Sequence, residues 1–483
     1  MIRLKFVCST AVVALGFATS VVAQDDAPRA LDERGIRLAA SELPQSRDAL
    51  FAEPANKEPV SKDALFGTSA PSAESSGVKL GGTFEALGAY TYANPTHWSR
   101  GVGRLTLNAQ GSLSEDIKWK IGGRVDGDIV YATSSFYLPA VKNNQQFTAI
   151  WGESYLDISA GSWDFRLGAQ QIIWGEVIGL FVADVVSARD TREFLLPRFD
   201  VIRIPQWAAR AEYFGGGDSH VELIWIPVPT QDRIGKPGGD FYPVPLPSPT
   251  PANVAAAFLD PDRPDRNLGN SNYGIRANTL VSGWDVAAFY YRSMSTQPTF
   301  YRIPGPSAAQ PVLFQPRYDR IWQAGGTVTK DLGEFVLRGE AVYTNGQNYS
   351  VLDLSVPNGV VERNTLDYIL SVEFPLPNDT RLNLQGFQRA YFNGSGKDLA
   401  IRSDGFGASI FLSTKLTDAI EPSILWIQSF REAGGMIRPR VNWYSAKNTT
   451  FAVGVDIFTG PNDGYFGRYN NRDRVYAEMR LDF

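Results

Sequence analysis

The sequence holds one cysteine, Cys8, and two histidines, His97 and His220. That scarcity removes disulfide scaffolds, iron–sulfur clusters and cysteine-based zinc sites. There is no basic excess either. The 46 Lys and Arg stand against 51 Asp and Glu, a formal charge of −5, so the chain lacks the electropositive footprint of a nucleic-acid binder. Beyond the N-terminus, no run approaches the roughly 18 uninterrupted apolar residues of a membrane-crossing helix. A helical membrane protein is thereby excluded. A membrane β-barrel is not, because alternation keeps average hydropathy low, and here the mean hydropathy is −0.18.

P-loop, GxSxG and HExxH motifs are also missing from the sequence. A barrel hydrolase needs a His beside a Ser or Asp. His97 is predicted in the first outer loop and His220 beside a turn at the other end, which gives the two no shared site. The expectation is a non-enzyme, with no catalytic residue, cofactor or metal.

What the chain does have is aromatics, at 12%, and 45 glycines. Residues 1–23 read as a secretory signal peptide: Arg3 and Lys5, then a largely apolar stretch, then Val21 and Ala23 before a cut at Gln24. Residues 24–77 are rich in Asp, Glu, Ser, Ala and Pro, and read as a flexible periplasmic tail. Within it Asp48-Ala49-Leu50-Phe51 recurs as Asp63-Ala64-Leu65-Phe66, a pair suited to docking on a periplasmic partner or on the barrel mouth.

From Leu80 onward the pattern has period two. At the end of the chain Val475, Ala477, Met479, Leu481 and Phe483 alternate with Arg474, Tyr476, Glu478, Arg480 and Asp482. Met479, Leu481 and the terminal Phe483 resemble the signal read by the barrel-assembly machinery of outer membranes. The same alternation recurs around Leu105, Ile121, Leu337 and Val453. Lipid demands the apolar set, and a wet interior tolerates the charged one. Short turns are predicted at 113–116, 160–162, 215–219, 281–283, 330–333, 375–379, 417–419 and 446–449. Longer segments separate them, so short and long alternate strictly. The prediction is an all-β, antiparallel, up-and-down transmembrane barrel over 78–483. It has about 18 strands, with 16 as the alternative count, and an aqueous interior.

Two long connections stand out. The segment 174–206 is apolar, with Val177, Ile178, Leu180, Phe181, Val182, Val185, Val186, Phe194, Leu195 and Leu196. Left on the cell surface it would form a sticky patch. It is predicted to fold inward as a constriction, with a short helix ended by Pro197. Its polar members Glu176, Asp184, Arg189, Asp190, Arg192 and Glu193, with Phe181, are the candidate constriction residues. The segment 227–264 carries ten prolines and reads as an extended extracellular lid. Candidate lumen-lining residues are Arg104, Lys120, Arg124, Asp126, Arg166, Arg210, Arg276, Arg338, Glu340 and Arg381.

Four stretches carry a family resemblance: Trp174-Gly175-Glu176, Asp184-Val185-Val186-Ser187, Arg203-Ile204-Pro205-Gln206-Trp207-Ala208 and Asn471-Arg472-Asp473-Arg474-Val475-Tyr476. They are similar to a proteobacterial family of outer-membrane barrels classed only as a domain of unknown function. The resemblance implies a fold and a location in the bacterial outer membrane, and no substrate. The overall plan also resembles 18-stranded substrate channels and alginate-export barrels, by architecture only. The expected function is passive passage of small solutes, including amphipathic or hydrophobic ones, through a pore narrowed by 174–206. The alternatives are an export duct working with a periplasmic partner through 24–77, and a non-conducting structural or adhesive barrel. Expected partners are thus outer-membrane lipid and the assembly machinery.

Overall fold

The computed structural model describes residues 77–483 other than 178, 308–309, 404 and 432–433. The signal peptide 1–23 and all but the last residue of the tail 24–77 lie outside the described residues, as does Ile178.

Nineteen sheet segments form one closed antiparallel ladder. Two of them, Phe147–Trp151 and Ser154–Ala160, both pair with Ile117–Asp128 and make one interrupted strand, so the barrel has 18 strands. The first half comprises Lys79–Thr91, His97–Ser112, Ile117–Asp128, the interrupted strand, Trp163–Gln170, Gln206–Phe214, Ser219–Ile226, Asn272–Val281 and Trp284–Met294. The second half comprises Arg320–Asp331, Val336–Ser350, Val360–Leu376, Thr380–Tyr391, Phe406–Ser413, Ile420–Ser429, Gly434–Ala446, Thr449–Thr459 and Arg474–Asp482.

The period-two pattern explains which way each strand faces. Leu107, Ile121, Val125, Leu167, Leu223, Ile275, Leu370 and Val453 are exposed on the outside. Their neighbours Arg104, Asp126, Arg166, Glu222, Glu340 and Asp456 are buried inside. An outward apolar band on a closed barrel with a polar interior is the design of an outer-membrane protein, and this chain is one. Seven tryptophans (Trp98, Trp151, Trp163, Trp207, Trp225, Trp284 and Trp443) are exposed, as interface girdles require.

The short connections fall where the turn chemistry places them. Ser282 and Gly283 both have positive φ (51° and 73°), the geometry of a tight two-residue hairpin that matches strand twist. Longer connections lie at the other end, the extracellular side of such a barrel.

The first and last strands of the barrel close the ring. Thr83 through Thr91 pair with Asp482 through Arg474. Phe483 N–H donates to Gly82 C=O at 2.9 Å, and Gly82 N–H donates to Phe483 C=O at 2.7 Å. The Phe483 ring lies where a Cβ on residue 82 would stand, 2.7 Å from two ring carbons, so only glycine fits there. Deleting Phe483 removes both bonds and the ring. It is expected to lower the yield of heat-modifiable, folded barrel on a gel. An unchanged yield would contradict an assembly role for this residue.

Candidate functional site

The segment between the strands Trp163–Gln170 and Gln206–Phe214 runs through the barrel interior and packs on two walls. Near its start, Trp174 is fully buried beside Phe289 and Tyr291 and donates Nε1–H to Glu222 at 2.9 Å. Ile172, Ala183 and Val186 join it in one apolar cluster with Ile224, Ile226 and Val342 of the wall. Further on, Phe194 and Leu196 join a second cluster with Ile427, Met436 and Phe458 of a different set of strands. Phe194 itself has φ +55°, a conformation that costs a non-glycine residue energy. It is held there by Phe458, Tyr465, Phe466 and Tyr469.

Polar anchors reinforce both contacts. The Glu340 carboxylate accepts the backbone N–H groups of Val177 and Ala183, both at 2.7 Å, and that of Glu176. Glu176 in turn accepts from Thr327 at 3.0 Å and from Thr329, and pairs with Arg276 at 3.4 Å. On the other wall, Arg198 pairs with Glu85 at 2.8 Å and Glu478 at 3.3 Å. Arg438 donates to Leu196 C=O at 2.9 Å, and Arg124 donates to Val201 C=O at 2.7 Å.

One sequence expectation is corrected here. The helix expected before Pro197 does not form: the only helical turn described between 171 and 205 is Phe199–Ile202, after the proline. Gly179 (φ 77°) and Phe194 interrupt a helical path, and the N–H groups of 176, 177 and 183 are satisfied by Glu340 instead. Most of the segment's apolar residues pack on the wall, while Leu196 also borders a cavity. Val177, Val186, Phe194 and Leu196 are buried, and the two apolar clusters join the segment to apolar stretches of the wall.

Charged and apolar groups together border the open space beside the segment. One cavity is lined by Arg100, Arg104, Arg124, Asp126, Asp190, Arg192, Glu193, Pro197 and Val201. A second shares Arg104, Glu193, Pro197 and Val201, and adds Glu85, Arg198, Arg438, Arg440, Arg474 and Glu478 together with Leu87, Val102, Leu196 and Tyr476. Both lie between the inward segment and the strands around the closure of the ring.

The candidate residues divide between this region and the rest of the wall. Arg104, Arg124, Asp126, Asp190, Arg192 and Glu193 come together around the first cavity. Arg104 pairs with Glu85 and Asp126, and Arg192 pairs with Asp190 at 2.6 Å. Asp184 is sealed from solvent against Arg203 at 3.1 Å. The Arg189 guanidinium lies 4.1 Å over the Phe181 ring. Lys120, Arg166, Arg210 and Arg338 stand elsewhere, paired with Glu153, Asp157, Glu222 and Glu373. Arg381 shares the inward face of its strand with Asn383 and Gln385. Sequence reading missed Arg100, Arg198, Arg438, Arg440 and Arg474. The i, i+2 spacing of Arg438 and Arg440 puts both on one strand face and could have flagged them.

The Pro-rich segment closes over the extracellular end. Thr191 N–H donates to Arg233 C=O and Arg233 N–H to Arg189 C=O, both at 2.9 Å, so it is laced to the inward segment. His97 opens its strand rather than lying in a loop. Its Nδ1 is 2.8 Å from Pro95 C=O and its Nε2 is 3.2 Å from Asp240, which also accepts from Tyr137 at 2.7 Å. Nδ1 is thus held by the connection just before His97 and Nε2 by the Pro-rich segment.

Asp232, in this outer segment, accepts the Arg189 N–H at 2.8 Å. Burial pushes its carboxyl up to about 6, against the opposing pull of Arg189. The folded state therefore binds a proton that the unfolded chain releases near 3.8. The resulting stabilisation is complete below the ordinary carboxylate range and is lost as pH rises through about 6. Asp232→Asn is expected to remove the fall in thermal stability between pH 5 and 7. An identical pH profile in the variant would contradict this assignment.

The family described as "Protein of unknown function (DUF1302)" matches residues 91–483. A comparison with curated proteins finds no match. Among solved structures, Acinetobacter baumannii OccAB3 is similar at 9% identity and TM-score 0.49, over 84% of this chain and 99% of that one. The Pseudomonas aeruginosa outer-membrane protein OpdK is similar at 7% identity and TM-score 0.46, over 84% and 98%. Salmonella typhi OmpF, solved with daunomycin, is similar at 11% identity and TM-score 0.42, over 84% and 97%.

Proposed function

The chain belongs to the DUF1302 family, and on that premise we propose that it is a passive outer-membrane channel for small solutes, narrowed by its inward segment 171–205. The observation that carries this reading is the route of that segment: it crosses between two walls and leaves cavities beside it. A barrel of this strand number encloses an aqueous interior that side chains alone do not fill. The segment occupies part of that interior, and its fixed anchors make the remainder a defined passage rather than an open pore. Charged side chains share its lining with Leu87, Val102, Leu196 and Val201, so the passage suits small polar and amphipathic solutes.

Solute entry into proteoliposomes tests this reading. Vesicles holding heat-modifiable barrel are expected to swell in small polar solutes faster than protein-free vesicles, with a sharp fall in rate as solute size increases. Equal swelling in the two preparations would contradict the proposal.

A further inference from the structure

The lumenal arginines are held mostly by carboxylates of the wall, and one carboxylate among their partners comes from the inward segment at a special place. Glu193 lies 3.1 Å from Arg100 and 3.2 Å from Arg474. It borders both cavities, as do Arg104, Pro197 and Val201. Each of those arginines has a second partner on the wall: Asp128 at 3.1 Å for Arg100 and Asp456 at 2.8 Å for Arg474. Asp128 and Asp456 do not border either cavity. If Glu193 left, both guanidiniums would keep a charge partner, and neither would become a stranded buried cation. The two cavities together are bordered by eight arginines and five carboxylates, and Glu193 is one of the five. Without it the surplus of positive charge facing the space would grow.

We infer that Glu193 is an internal stand-in for a small carboxylate solute, occupying a site between Arg100 and Arg474 that the solute's own carboxylate takes over in passage. The guanidinium fork suits a planar carboxylate in either role. Exchange of one carboxylate for another leaves the charge of the site unchanged. It also detaches the 193 region of the inward segment from this wall, so the solute itself widens the space between them. The inference deepens the channel reading and rests on it.

Glu193→Gln keeps the side-chain size and removes the competing charge. A ligand facing an occupied site binds with an affinity reduced by the fraction of sites that are free. Benzoate is the probe, and benzamide its uncharged counterpart. Titrated against the folded full-length chain in detergent, benzoate is expected to bind Glu193→Gln about tenfold more tightly than wild type. Benzamide is expected to bind both equally. Glu373→Gln makes the same charge change at the Arg338 pair on another wall, and is expected to gain nothing. Equal benzoate affinity in wild type and Glu193→Gln would overturn the inference, as would an equal gain in Glu373→Gln. Glu193→Asp keeps the charge and supplies the check if the glutamine variant folds poorly: it is expected to bind benzoate as weakly as wild type, and a tenfold gain there would also overturn the inference. Binding is read without conductance. A barrel that shows these affinities yet passes no solute would sink the channel reading and leave the carboxylate site standing.

Discussion

Deletion of residues 177–196, with the flanking strands kept, is expected to raise single-channel conductance severalfold. The deleted piece carries Phe194 and Leu196 out of the second apolar cluster, and Val177, Ala183 and Val186 away from the first wall. It also takes Glu193 from between Arg100 and Arg474. The barrel survives because its ladder lies outside the segment, and those two arginines keep Asp128 and Asp456. Arg203 loses Asp184, its fully buried partner. Breaking a buried ion pair costs about 3–5 kcal/mol in a sealed interior, and this deletion opens the interior to water. Normal insertion of the deletion variant with unchanged conductance would show that the segment does not narrow the path.

Glu340→Ala is expected to give a milder version of the same change. The carboxylate collects three backbone N–H groups, those of Glu176, Val177 and Ala183. Each buried donor left unmet costs about 1–3 kcal/mol, enough to free the start of the segment while its far end stays on Phe458 and Arg438. The expected record alternates between the wild-type level and a higher one, with increased open-channel noise. Glu340→Gln, whose amide oxygen still accepts, is expected to lie between the two. A noise spectrum identical to wild type in Glu340→Ala would contradict the anchoring role.

The strands were legible because lipid imposes a local rule. Val475 and Ala477 face out and Arg474, Tyr476 and Glu478 face in, as period two alone requires. The turn at Ser282-Gly283 was legible for the same reason, since its backbone preference is carried by its own residues. The inward course of 174–206 could be read from the cost of leaving so many apolar side chains on a surface. Its internal form could not. The backbone there is irregular because Glu340, more than 150 residues away in sequence, meets its N–H groups, and no local pattern announces such a partner. The orientation of the apolar face had a readable clue that period two obscured. Ile224, Ile226, Phe289, Tyr291 and Val342 place apolar side chains on the inward face, where charge was the rule. An apolar inward face is a surface awaiting a cover, and Trp174 and Val186 are that cover.

The central claim is that the conducting path runs between the inward segment and the arginine-lined wall, past Val201, which borders both cavities. The sequence contains one native cysteine, Cys8, which lies in the predicted signal peptide, so Val201→Cys supplies a single addressable thiol in the processed chain. The direct measurement is single-channel current through this variant while a small charged methanethiosulfonate reagent is added. The account predicts a stepwise fall in conductance as the thiol is modified, with mass spectrometry showing one adduct. Complete modification with unchanged current, or steady conduction past a thiol that the reagent never reaches, would contradict it.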